Sequence, residues 1–144
     1  MTGPGLQDTL QRVENIAGGT PEPRRGWAWA RVLEHCAQSI EYSIDGFPKP
    51  KPAIIRATIG RLVARRFLQR GALSHDLQAA IPGAETLSLD DDDAALTRLR
   101  EAVARFEAHT GPLADHFVFG KLAKADYGRL HAMHIEDHLG DFVS

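Results

Sequence analysis

What the sequence lacks narrows it first. Cys36 is the only cysteine, so an intrachain disulfide is impossible and a zinc site built from several thiolates is excluded. No apolar run approaches the ~20 residues that a membrane-spanning helix needs. The opening residues MTGPGLQDTL have neither the basic start nor the apolar core of a signal peptide, and a soluble, cytoplasmic protein is expected. Charge of one sign is missing too: 17 Lys and Arg face 19 Asp and Glu, a formal net charge of −2, which speaks against a strongly basic nucleic-acid binder. Neither GxGxxG nor GxxxxGK followed by Ser or Thr occurs, so the common nucleotide-binding loops are absent. There is no repeat and no low-complexity tract. Alternating strand patterns are scarce; Phe117-Val118-Phe119 is the one suggestion of a strand, and it is too short. What is there is a chain of 144 residues, 43% hydrophobic and 25% charged. That is the size of a single domain, 1–144, long enough to bury a full core. Seven histidines are the feature that composition does not explain.

Gly and Pro punctuate the chain at GGTPEP (18–23), GFPKPKP (46–52), IPGA (81–84) and GPL (111–113). The segments between them carry helical periodicity. A short first helix is expected over 6–17 and a second over 27–44, with Trp29, Val32, Leu33, Ile40 and Ile44 apolar. A third is expected over 53–70, begun just after Pro52 and bearing Ile55, Ile59, Leu62, Val63 and Phe67 at helical spacing. Asp90 to Asp93 supply caps and negative charge for a helix over 90–109 striped by Leu96, Leu99, Val103 and Phe106. The last helix is expected from Lys124 to Phe142. Four substantial helices predict an all-α bundle, with the short N-terminal helix as an extra.

The last helix carries the most chemistry. At 100° per residue, Tyr127, His131, His134, His138 and Asp141 fall in one wedge, flanked by Leu130, Met133, Ile135, Leu139 and Phe142. Arg129, Glu136 and Gly140 make up a narrow, solvated back. Histidines on an inward face need a reason, because burying an imidazole without a partner is costly. His134 and His138 are one turn apart, so two ring nitrogens can converge on one metal ion. The sequence HIEDH is not the HExxH motif: Ile135 occupies the glutamate position, and Glu136 points roughly 160° away from His134 on the helix wheel. His35 is the third candidate ligand, mid-helix, with Gln38 and Tyr42 on its face. Three neutral imidazoles leave a coordination position open and suit zinc, nickel or iron(II). The plain alternative is that these histidines are core polar groups bonded to each other or to carboxylates.

The segments EHCAQSIEYSIDGFP (34–48), IPGA (81–84) and GPLADHFVFGKLAKADYGRLHAMHIEDHLGDF (111–142) resemble the DinB-like superfamily, and most of all a branch of unknown function. The resemblance runs from Trp27 to Phe142, in three separated segments that keep their order and spacing. It implies a four-helix bundle of up-down-down-up topology, often paired into a homodimer. It also implies one divalent metal held by a histidine of the second helix and an HxxxH pair of the last, here His35, His134 and His138. Asp137 replaces a common histidine, Asp141 a common glutamine, and Phe117 the proline of a His-Pro-x-Phe-Gly loop that here reads His116-Phe117-Val118-Phe119-Gly120. Members of the superfamily include thiol-dependent S-transferases and metal-dependent hydrolases and isomerases. For this chain the resemblance implies hydrolase or S-transferase chemistry on a small molecule, with a low-molecular-weight thiol as one substrate.

Other residues around such a site have two readings each. Asp141, Asp137, Glu41 and Gln38 are candidates to orient the imidazoles through their second nitrogen, although Asp141 also suits a solvated helix end. His131, one turn before His134, would line the pocket rim, ligate or carry a proton, and His116 would touch substrate from its loop or simply pack. Tyr127 shares that face. Ser74-His75-Asp76 is no catalytic triad, because consecutive side chains diverge. Cys36 reads as a small buried hydrophobe. Lys49, Lys51, Arg56, Arg61, Arg65, Arg66 and Arg70 form a basic stretch without an acid, either a solvated face paired with Asp90–Asp93 or an anion patch. Nucleic acid is disfavoured there because Phe67 is the one aromatic in it. Two functions of different class result: a metalloenzyme, or a non-catalytic dimeric binding or scaffold protein whose histidines, or a metal they hold, are structural.

Overall fold

The structure, a computed structural model, describes residues 5–72 and 76–143. It is mostly helical. Helix α1 spans Leu6–Ala17 and α2 Trp29–Asp45. A composite helix follows: α3 (Ala53–Ile55), a π-helical turn at Arg56–Gly60, and α4 (Arg61–Arg70). Helix α5 spans Asp92–Ala108 and α6 Lys124–Leu139. Strands β1 (Glu22–Pro23) and β2 (Phe142–Val143) form a two-stranded antiparallel ladder too short to show an alternating pattern in the sequence.

Local chemistry explains the ends of these elements. Asp91 caps α5, its carboxylate accepting from the amides of Asp93 at 2.9 Å and Ala94 at 3.4 Å. At α6 the expected boundary is too long. The helix stops at Leu139, the Gly140 N–H closes on the Glu136 carbonyl, and Phe142 turns away to pair with Pro23 and to meet Trp29 edge-on at 4.9 Å. Phe117-Val118-Phe119 forms no strand; His116 and Gly120 exchange both backbone hydrogen bonds and close a tight loop. Ser74 and His75 lie outside the described residues.

Helix α2 lies along α5, and α6 touches α1, α2 and α4. Leu33, Ala37 and Ile40 of α2, Leu99, Val103 and Phe106 of α5, and Tyr127 and Ile135 of α6 are buried in one cluster. A fully buried Leu, Ile or Phe contributes about 1.5–3 kcal/mol, so this seam is the main stabilising feature. Ion pairs reinforce it: Arg98 of α5 donates to both Glu34 (2.7 Å) and Glu41 (2.7 Å) of α2. The basic stretch departs from expectation in two ways. Its aliphatic residues are not core, Ile54 being 70% and Leu62 64% exposed, while Gly60 and Ala64 face inward. Among the described residues, no ion pair joins it to 90–93. The reason is size. A helix that approaches a backbone closely must present its small residues, and a β-carbon on Gly60 would stand 1.9 Å from the Val118 carbonyl oxygen.

The back of α6 is not solvated as expected. Glu136 accepts from Thr9 Oγ1 at 2.8 Å and pairs with Arg12, tying α1 to α6. Arg129 donates to the Leu68 carbonyl at 3.0 Å, tying α4 to α6. Both corrections have one cause: a helix wheel shows angles on one helix and nothing of the neighbours docked against it.

Candidate metal centre

Helices α2 and α6 cross so that His35, His134 and His138 meet. The three rings form a nearly equilateral triangle, with centroids 5.0 Å (His35–His134), 5.1 Å (His35–His138) and 5.0 Å (His134–His138) apart. One nitrogen from each lies within 4.8 Å of the other two, and Nε2 of His35 is 3.2 Å from Nε2 of His134. Two imidazoles on one tetrahedral zinc, at bonds of 2.0–2.1 Å, put their nitrogens about 3.3 Å apart, so the donors fit such an ion. His35 and His138 are buried and His134 is half-buried, opening toward a cavity. Trp27 stands edge-on to His35 at 5.2 Å, and the Arg31 guanidinium covers the outer face of Trp27 at 4.3 Å. A hydrophobic lid of this kind keeps water from one side of the cluster.

The other sequence candidates divide into those at the cavity and those away from it. His131 lines the cavity but is not among the convergent ligands. Its Nε2 is 3.0 Å from Ser43 Oγ, whose own proton goes to the Ile40 carbonyl at 2.5 Å. The His131 ring therefore carries its proton on Nε2, stacked on Tyr127 at 5.2 Å. Burial, with His116 nearby as a smaller cause, lowers its pKa to about 3. It is neutral near pH 7. His116 also lines the cavity, and its pKa falls to about 3 through burial. Its Nδ1 accepts from the amides of Val118 and Phe119, each at 3.1 Å, which leaves the proton on Nε2. The ring is stacked against Phe119 at 4.4 Å, so its packing role is plain. Tyr127 donates to the Ala114 carbonyl at 3.0 Å, and burial, with Asp115 contributing, drives its pKa up.

Asp141 sits away from the cavity. Its carboxylate accepts from the backbone amides of Arg25 (3.0 Å) and Gly26 (2.6 Å), fixing the segment that leads to Trp27. Gln38 donates to the Glu85 carbonyl at 3.1 Å, and Glu41 is engaged by Arg98. Cys36 is buried, which pushes its thiol far above the ordinary range and leaves it inert.

Three features of the site were not visible in the sequence: Trp27 against His35, Lys51 at the cavity, and Ile81 and Pro82 in its wall. Lys51, Ile81 and Pro82 arrive from loops docked at long range, and Trp27, just ahead of α2, folds back onto a ring of that same helix. The IPGA turn was legible as a turn: Ala84 donates to the Ile81 carbonyl at 3.0 Å and Gly83 takes φ +74°. That it brings Ile81 to the histidines was not.

A mostly helical architecture with a cluster of three histidines is the class that fold and site define. The chain belongs to the family described as a protein of unknown function, DUF1569, whose family model matches residues 2–144. No curated protein and no solved structure matches it.

Proposed function

We propose that this protein is a DinB-like metalloprotein whose His35, His134 and His138 hold one divalent ion, zinc, nickel or iron(II), and that it acts as a hydrolase or S-transferase on a small molecule. The observation that carries the reading is the convergence of three imidazoles from two helices, with 3.2 Å between two of their nitrogens, at the floor of a cavity. The helix order and the packing of α2 on α5 and α4 on α6 support a bundle of up-down-down-up topology. A bound divalent ion supplies Lewis acidity to a water or thiol in an open coordination position.

The chain's own residues do the rest. Trp27 and the α2–α5 seam hold the His35 ring in place, and Asp141 anchors the segment that delivers Trp27. His116 and His131, neutral with their protons on Nε2, present polar edges without charge to the cavity. The reading includes a homodimer, and the aliphatic side chains that the basic helix holds in water, Ile54, Ile59, Leu62 and Val63, are the surface such pairing would cover.

Cobalt(II) titration tests the site. Metal-free protein should develop the intense visible bands of a low-coordinate centre and saturate at one ion per chain. His134→Ala should abolish them while the circular dichroism stays helical. Undiminished cobalt bands in the folded variant would remove His134 as a ligand.

The scaffold alternative rests on the same 3.2 Å contact, which equally suits a hydrogen bond between His35 and His134. With purely structural histidines it predicts no cobalt spectrum, and with a structural metal it predicts a spectrum but no position open to an added thiol.

A further inference from the structure

We propose that the cavity over the histidines takes a monoanion with an apolar body of on the order of a dozen non-hydrogen atoms, its charged group held by Lys51. The inference names the ligand of the site described above and rests on that reading for its catalytic meaning. The binding itself needs no metal.

Size sets the first limit. The cavity measures about 350 Å³. An apolar cavity of ~150 Å³ accepts benzene, with six carbons, so this one holds roughly twice as many atoms. The chemistry of the walls sets the second. Phe67 from α4, Ile81 and Pro82 from the turn, Phe117 and Phe119 from the 116–120 loop, and Leu130 from α6 make them apolar.

Several of the polar atoms that line it are already committed. His116 Nδ1 is taken by two backbone amides, His131 Nε2 by Ser43, and the Tyr127 hydroxyl by Ala114. A sugar or a zwitterion would therefore bury hydroxyl or ammonium groups with too few partners.

Charge sets the third limit. Lys51 is the one lysine or arginine among the described lining residues, and no carboxylate accompanies it. Its backbone N–H donates to the Phe117 carbonyl at 2.8 Å, which fixes its α-carbon beside the wall, while the side chain is exposed at the mouth. One ammonium at the rim of a dry slot complements one negative charge on an apolar body. A phosphate dianion calls for more cations than this mouth supplies.

The test is calorimetric titration of metal-free and metal-loaded protein with octanoate, which has ten non-hydrogen atoms. Octan-1-ol and acetate serve as controls for charge and for the apolar body. Octanoate should bind one per chain in both preparations, and acetate should not bind. Lys51→Met should weaken octanoate about three- to tenfold and leave octan-1-ol unchanged, since an exposed charge contact contributes modestly. Ala80→Phe, which fills the cavity wall with a ring, should weaken both. Folded protein that ignores octanoate at millimolar concentration, or Lys51→Met that binds octanoate as tightly as the parent, would overturn the proposal. Octanoate binding by protein that takes up no metal would overturn the metal reading alone. Metal uptake without octanoate binding would overturn this inference alone.

Discussion

At the scale of single residues, the molecule keeps several polar side chains in a dry interior by giving each a fixed partner. His131 donates to Ser43, which donates to Ile40; His116 accepts two amides of its own loop. These partners suit the neutral rings, and burial lowers both pKa values from 6.5 to about 3. The consequence for stability has a definite sign. In the unfolded chain both histidines titrate near pH 6.5. The fold is therefore unpenalised above that pH and loses stability as pH falls from 6.5 toward 3, at up to ~1.4 kcal/mol per pH unit for each histidine. Urea unfolding at pH 7, 6, 5 and 4 should show the midpoint dropping steadily. His131→Phe should shallow that slope by about one proton. A midpoint indifferent to pH between 6.5 and 4.5 would contradict the burial of these rings as neutral species.

At the scale of elements, the close approach of the π-helical turn to the 116–120 loop shapes the cavity. Gly60 brings the helix against the Val118 carbonyl, and Gly120, at φ +77°, lets the loop close beneath Arg56. Gly60→Ala puts a methyl group 1.9 Å from a backbone oxygen, a clash that no rotamer change relieves. We expect it to cost about 1–3 kcal/mol in chemical denaturation despite alanine's higher helix propensity. The gain expected of Gly→Ala in a helix would show that the two backbones are not in contact.

The same region marks where the sequence was legible and where it was not. The limits of α1, the Asp91 cap and the IPGA turn follow from interactions within a few residues, and the pattern carries them. His134 and His138 were legible because i and i+4 share a face, and His35 because it sits mid-helix among core positions. The 53–70 helix misled because its aliphatic spacing is helical while its buried face is the small-residue one. Asp141, Glu136 and Arg129 were read as local or solvated, and their partners lie 60 or more residues away. Periodicity is silent on contacts of that range.

At the scale of the whole molecule, the three histidines join α2 and α6, helices that also share the buried cluster with α5. Helix α2 packs most of all on α5, while α6 meets α1, α2 and α4; the imidazole triangle lies where α2 meets α6. No described helix is long and apolar enough to cross a membrane. An ion bound across the α2–α6 crossing stabilises the folded state by mass action, by about 4 kcal/mol at a thousandfold excess over its Kd. The measurement that tests the account most directly is therefore metal content by mass spectrometry on untagged protein purified without chelator, beside His35→Ala and His138→Ala. The account predicts close to one zinc, nickel or iron per chain, lost in both variants. Protein that holds no metal even after reconstitution, or variants that retain the full complement, would contradict it.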